Sequence, residues 1–153
     1  MAHRIISTEG DRIDFLKFVS GVKLPVTFEW TPGRDRSLAQ NKLMWLWAQE
    51  AADQRGDTSR VEVQREWKLR HGVPILRADS VEFRVFTDLA LKPLNYEQRM
   101  TAMSFVPVTS EFKVPQMVAF LDAIERECAV QGIRLTDPDP DLASYQERYR
   151  RAA

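Results

Sequence analysis

Arg34-Asp35-Arg36-Ser37-Leu38-Ala39-Gln40-Asn41-Lys42-Leu43-Met44-Trp45-Leu46-Trp47 carries a basic approach into a capped helix. Ser37 can accept a hydrogen bond from the amide three residues on while Gln40 reaches back, the S-x-x-Q capping box. Leu38, Asn41, Trp45, Ala48 and Ala52 then recur at steps of three and four, which predicts an amphipathic helix running from Ser37 to about Gln54. Arg34 and Arg36 sit beside its positive end, where free amides also point outward. That pairing suits a phosphate or carboxylate better than a metal or a neutral substrate.

Around this helix the pattern reads as α+β: a small, mainly antiparallel sheet packed with several helices, one domain over residues 1–153. His3 to Ser7, Leu24 to Trp30 and Phe105 to Val108 are the expected strands. Asp11 to Val19 is expected to be a helix whose Ile13, Leu16, Phe18 and Val19 supply apolar contacts. Thr58 or Ser59 can cap a helix through Arg70, closed by Gly72 and blocked by Pro74. Ser80 to Leu91 and Asn95 to Met103 follow as helices. Pro115 opens another, with Met117, Phe120, Leu121, Ile124 and Cys128 on one stripe and a stop at Gly132. From about residue 137 a stiff Pro-rich acidic connector leads to a short helix, Leu142 to Arg150. That C-terminal tail reads either as a docked helix or as a mobile, DNA-gripping arm.

Composition narrows the function classes. The 153 residues, 44% hydrophobic and 29% charged, suffice for one buried core. A single cysteine allows no internal disulfide and fits a reducing cytoplasm, with no signal-peptide apolar region at the start. Twenty-two basic residues balance twenty-two acidic ones. The charge is unevenly spread: Arg34 to Arg77 holds nine Lys or Arg against six Asp or Glu, and Thr109 to Asp141 holds three against seven. A solvated mixed surface explains such a split as readily as a binding groove does.

Chemistry-bearing patterns are sparse. His3 and His71 lie in different elements and lack ligand-spaced partners, and Cys128 falls on an apolar stripe, so neither a His/Cys metal site nor a Cys-His nucleophile is expected. Glu111-Phe112-Lys113 has an E-x-K spacing that could serve a metal-dependent nuclease with Asp88 or Glu82 as a further acid. It arises easily by chance. Asp137, Asp139 and Asp141 could bind a divalent cation or simply cap a helix. No cofactor or metal is expected.

The stretch around the tryptophans is apolar nearly all round, because Trp45 and Trp47 project about 200° apart. Trp45, on the main stripe, is expected in the core. Trp47 is the candidate for a second surface: a dimer contact, a base-stacking platform, or packing under a loop. Arg34, Arg36, Lys42, Arg60, Arg65, Lys68, Arg70 and Arg77 come from neighbouring segments and could line one groove for a single strand. Arg148 and Arg150, interleaved with Tyr145 and Tyr149, repeat the pairing in the tail. For each of these, a solvated surface charge is the alternative.

The run Arg36-Ser37-Leu38-x-Gln40-Asn41-x-x-x-Trp45 resembles the R-S-L-x-Q-N-x-x-x-W segment of the NinB/Orf family of phage recombination proteins. The resemblance continues in order through Trp67-Lys68, Pro93-Leu94-x-Tyr96-Glu97, Pro107-Val108-Thr109-Ser110 and Gly132-Ile133. It implies a phage- or prophage-encoded homodimer in the bacterial cytoplasm that binds single-stranded DNA without enzymatic chemistry. It further implies action with host single-strand-binding protein to help load a strand-exchange protein. On that resemblance Arg36, Ser37, Gln40 and Asn41 become candidates for phosphate or base contacts. Loop-pinning by the two amides is the structural alternative. A nuclease, and a protein-interaction module that touches no DNA, remain the other functional readings.

Overall fold

Side-chain caps set most of the element boundaries. In the computed structural model, which describes residues 4, 6, 8–30 and 38–152, Thr8, Ser59, Ser80 and Asn95 each accept an amide hydrogen bond from three residues on. They open helices α1 (Glu9–Ser20), α3 (Arg60–Trp67), α5 (Val81–Ala90) and α6 (Tyr96–Ala102). Three of these caps are reciprocal boxes, Asp11, Glu62 and Gln98 reaching back to the cap amide. The remaining helices are α2 (Leu38–Arg55), α4 (Val73–Asp79), α7 (Val114–Gln131) and α8 (Pro140–Ala152). A five-residue π segment, Lys68–Gly72, joins α3 to α4, and a 3₁₀ turn, Thr109–Glu111, precedes α7.

The expected sheet is not there: the described residues are all-helical, with no strand. Leu24 to Trp30 alternates in sequence but has no partner ladder, and a strand without one is not a stable element. Phe105 to Val108 is consumed by the end of α6, since the amides of Phe105 and Val106 both bond Ala102 O, at 2.9 and 3.0 Å. The residues His3, Ile5 and Ser7 of the first expected strand lie outside the described residues, as does the Ser37 cap of α2.

The core is built from α2, α3, the π segment, α4, α7 and α8. Met44, Trp47, Ala48, Val63, Trp67, Met103, Phe112, Phe120, Ile124 and Cys128 are fully enclosed in it. Ala48, Ala51 and Ala52 let neighbouring helices approach α2 closely, which is what small buried residues on one face are for. Gly72 does the same in the π segment: a Cβ there would come within 2.7 Å of Val108 Cγ1. The expectation that Gly72 ends a helix is therefore corrected. The chain continues through it into α4, with Pro74 in that helix's first turn, where a missing N–H costs nothing. Gly132, by contrast, is a true stop for α7, at φ 73°.

The tail docks. Asp139 caps α8 by accepting Leu142 N at 3.0 Å, and Leu142, Tyr145 and Gln146 are buried. Helix α1, like the short α6, buries no residue. The sequence expectation that its Ile13, Leu16 and Phe18 feed the core is corrected, for all three are exposed. No helix among the described residues is long and apolar enough to cross a membrane.

Candidate nucleic-acid interface

The core face of α2 runs through Gln40, Leu43, Met44, Trp47, Ala48, Ala51 and Ala52, not along the stripe centred on Trp45. This rotation exchanges the roles of the two tryptophans. Trp47 is 2% exposed and its indole N–H donates to Thr136 O at 2.7 Å. Trp47 is thus interior, and its candidacy as a dimer contact is withdrawn. Trp45 lies on the flank, half-buried, with the Arg60 guanidinium 5.8 Å from its ring centroid. Arg60 stands at the first turn of α3, where the helix dipole offers a cation nothing; the indole face is its favourable neighbour.

Around Trp45 the structure gathers several of the expected residues. Lys42 is exposed one turn before it on α2, Asn41 is half-buried beside it in sequence, and Arg65 is half-buried on α3. Lys42, Arg60 and Arg65 make no ion pair with a described carboxylate. Two neighbouring helices thus present the Trp45 face with Arg60 over it and Lys42 one turn before, while Arg65 lies further along α3, where its charge acts on Glu62. Arg34, Arg36 and Ser37, which precede α2 in sequence, lie outside the described residues.

Other expected residues are occupied elsewhere. Lys68 is buried and its Nζ donates to Met103 O at 2.5 Å. Burial, with Arg65 adding repulsion, pulls its pKa below the usual lysine value, so it is a core donor and not a phosphate contact. Arg70 bonds Glu127 and bridges Glu66 at 2.9 Å, and Arg55 reaches the same Glu66 at 2.9 Å. The hydrogen bond that Arg70 donates to Glu127 raises the Arg70 pKa. Burial pushes Glu127 up, but the hydrogen bond and charge of Arg70 outweigh it and leave that carboxyl below its ordinary range. His71 Nε2 sits 3.4 Å from Glu127 as well. These groups tie α2, α3, the π segment and α7 together.

Arg77 pairs with Asp88 at 2.9 Å. Arg148 pairs with Asp11 at 2.6 Å and lies 5.5 Å over the Tyr145 ring. Arg150 grips Asp122 of α7 with both Nε and Nη2, at 2.9 and 2.7 Å, which raises its pKa further. The last two add surface ion pairs to a tail docked through the buried Leu142, Tyr145 and Gln146. Gln40 is buried and donates to Gln146 of α8 at 3.4 Å, which makes it an interior bridge between helices.

Among the described residues no group of three or more His, Cys, Asp or Glu is arranged to hold a metal ion. Glu111 and Lys113 are exposed at either end of the turn before α7, and Asp88 is committed to Arg77. Sequence reading placed Trp45 in the core, where the structure has it half-buried on the flank of α2. The signal was present in Ala48, Ala51 and Ala52, whose small size marks the close-packed face of α2 and places Trp47 on it. Comparisons with protein families, curated proteins and solved structures gave no match for this chain.

Proposed function

We propose that this chain is a non-catalytic recombination mediator that binds single-stranded DNA, in the manner implied by its resemblance to the NinB/Orf family. The observation that carries the reading is the Trp45–Arg60 contact with Lys42 one turn before it on α2, two cations that make no ion pair with a carboxylate among the described residues. A single strand needs phosphate neutralisation along its backbone and a π-face for its bases, and this ridge offers both. Arg34 and Arg36 enter α2 next to it in sequence and extend the basic approach. On this proposal the protein works as a homodimer. It meets strands coated by host single-strand-binding protein and helps a strand-exchange protein load.

Anisotropy of a labelled single-stranded oligonucleotide, titrated across a salt series with duplex competitor, tests the reading. Saturable binding that weakens with salt and falls about tenfold or more in Arg60→Ala is expected, a loss of about 1.4 kcal/mol. Tryptophan emission should be quenched by DNA in the wild type and less so in Trp45→Leu. Absence of binding at low salt would leave the protein-interaction reading in front. Cleavage that requires magnesium or manganese and is lost in Glu111→Ala would establish a nuclease instead.

A further inference from the structure

Arg148 repeats the arrangement of Arg60 with one difference. Its guanidinium lies 5.5 Å over the Tyr145 ring, as that of Arg60 lies 5.8 Å from the Trp45 ring. Tyr145 is buried, so the cation and not the ring is on offer. Here, however, Asp11 of α1 reaches Arg148 Nη1 at 2.6 Å. Helix α8 packs beside the start of α2, where Gln40 donates to Gln146 at 3.4 Å. Arg148 therefore stands on the element next to the basic approach that Arg34 and Arg36 carry into α2 in sequence. The helix that covers it is loosely anchored. Among the described residues α1 buries no side chain and makes no extended contact with another helix. Its aromatic side chains pack on its own flanking segments, Phe15 edge-on to Phe28 at 5.8 Å and Phe18 beneath Arg4 at 5.5 Å. Asp11 is aimed by a local device: its other oxygen accepts Thr8 N at 3.0 Å in the box that caps α1.

We propose that Asp11 masks Arg148 from nucleic acid, so that α1 is an autoinhibitory strap over one of the chain's phosphate-binding cations. This rests on the single-strand binding proposed above and concerns its regulation. A carboxylate oxygen and a phosphate oxygen are the same kind of acceptor for a guanidinium, so the strap and a strand compete for one site. Arg148 keeps about half of its side chain exposed, and a pair that open to water holds weakly. Lifting Asp11 therefore costs little and disturbs no core packing, because α1 contributes none. With the strap down, Arg148 is already neutralised and adds little to binding. With the charge on Asp11 removed, Arg148 becomes one further cation able to displace a counterion from the strand.

Anisotropy of a labelled single-stranded oligonucleotide, titrated with the full chain across a salt series, tests the mask. Asp11→Asn keeps an oxygen for the Thr8 amide and removes the charge beside Arg148. It should bind about fourfold more tightly at about 0.15 M salt and steepen the slope of log K against log salt by about 0.7, the worth of one phosphate contact. Arg148→Gln should leave the wild-type affinity nearly unchanged, yet abolish the whole gain when combined with Asp11→Asn. Asp14→Asn makes the same change in net charge three residues along α1 and should give no such gain. Equal affinity and slope in Asp11→Asn and the wild type would overturn the mask alone. A gain that survives Arg148→Gln, or one matched by Asp14→Asn, would do the same, since either would reflect overall charge and not a covered cation. Binding by none of these proteins at low salt would overturn the single-strand reading and the mask with it.

Discussion

A buried indole with one hydrogen-bond partner behaves differently from a surface platform, and Trp47 is the former. Trp47→Phe removes the donor to Thr136 O and leaves a small void beside Met44 and Ala48, so it should cost about 1–2 kcal/mol in urea unfolding. A surface tryptophan would give less than about 0.5 kcal/mol. Lys68 provides the complementary test of burial. Its folded-state pKa lies below the unfolded value, so the charged form is the one the fold disfavours. The unfolded chain then holds more protons in the window between the two values, and stability must rise with pH there, up to about 10.4. The unfolding free energy of the wild type relative to Lys68→Met should therefore climb as pH rises toward about 10.4. A flat difference would mean that the ammonium reaches water. At this scale Cys128 reads the same way from sequence and structure: it is fully buried on its stripe, and burial pushes the thiol up to about 11.

Among the elements, the junction of α3, the π segment and α4 depends on one missing methyl group. Gly72→Ala would drive a Cβ into Val108, behind which stand Phe112 and Phe120, and overpacking of this kind should cost about 1–3 kcal/mol. The same substitution at a plain helix stop would be nearly silent or, with φ at −72°, mildly stabilising. Glu127 ties this junction to α7. Because its folded pKa is depressed, its contribution is complete above the unfolded value near 4.3 and is lost as pH falls through the folded one. Wild type should exceed Glu127→Gln by about 1 kcal/mol at neutral pH, and the gap should close in urea titrations below about pH 4. The capping residues Ser59, Ser80, Asn95 and Asp139, and the stop at Gly132, are local signals, which is why most helix positions were legible in the sequence. Strands depend on a distant partner that no local alternation can guarantee, so Leu24 to Trp30 and Phe105 to Val108 misled. The continuation through Gly72 was hidden for the same reason, being fixed by side chains some forty residues away. The candidate site was legible as a set of residue types but not as a surface, since Lys68, Arg70, Arg148 and Arg150 find their carbonyl and carboxylate partners only on folding.

For the whole molecule, zero net charge limits how DNA can be held. Arg55, Arg70, Arg77, Arg148 and Arg150 are held by carboxylates on neighbouring helices, so they release few counterions from a bound strand. Binding then depends on Lys42, Arg60 and Arg65, with Arg34 and Arg36 from the approach to α2. If three to five of these neutralise phosphates, log K against log salt should have a slope of about −2 to −3.5 for a single strand. Each substitution of a participating cation should make that slope shallower by about 0.7. Arg150→Ala supplies the internal control: it should loosen the α7–α8 contact measured by unfolding and leave the salt slope unchanged. A slope steeper than about −5 would require more phosphate contacts than the ridge and its approach provide. It would mean that the strand extends beyond the ridge, either to cations such as Arg126 and Arg134 or to Arg70 in competition with Glu66 and Glu127.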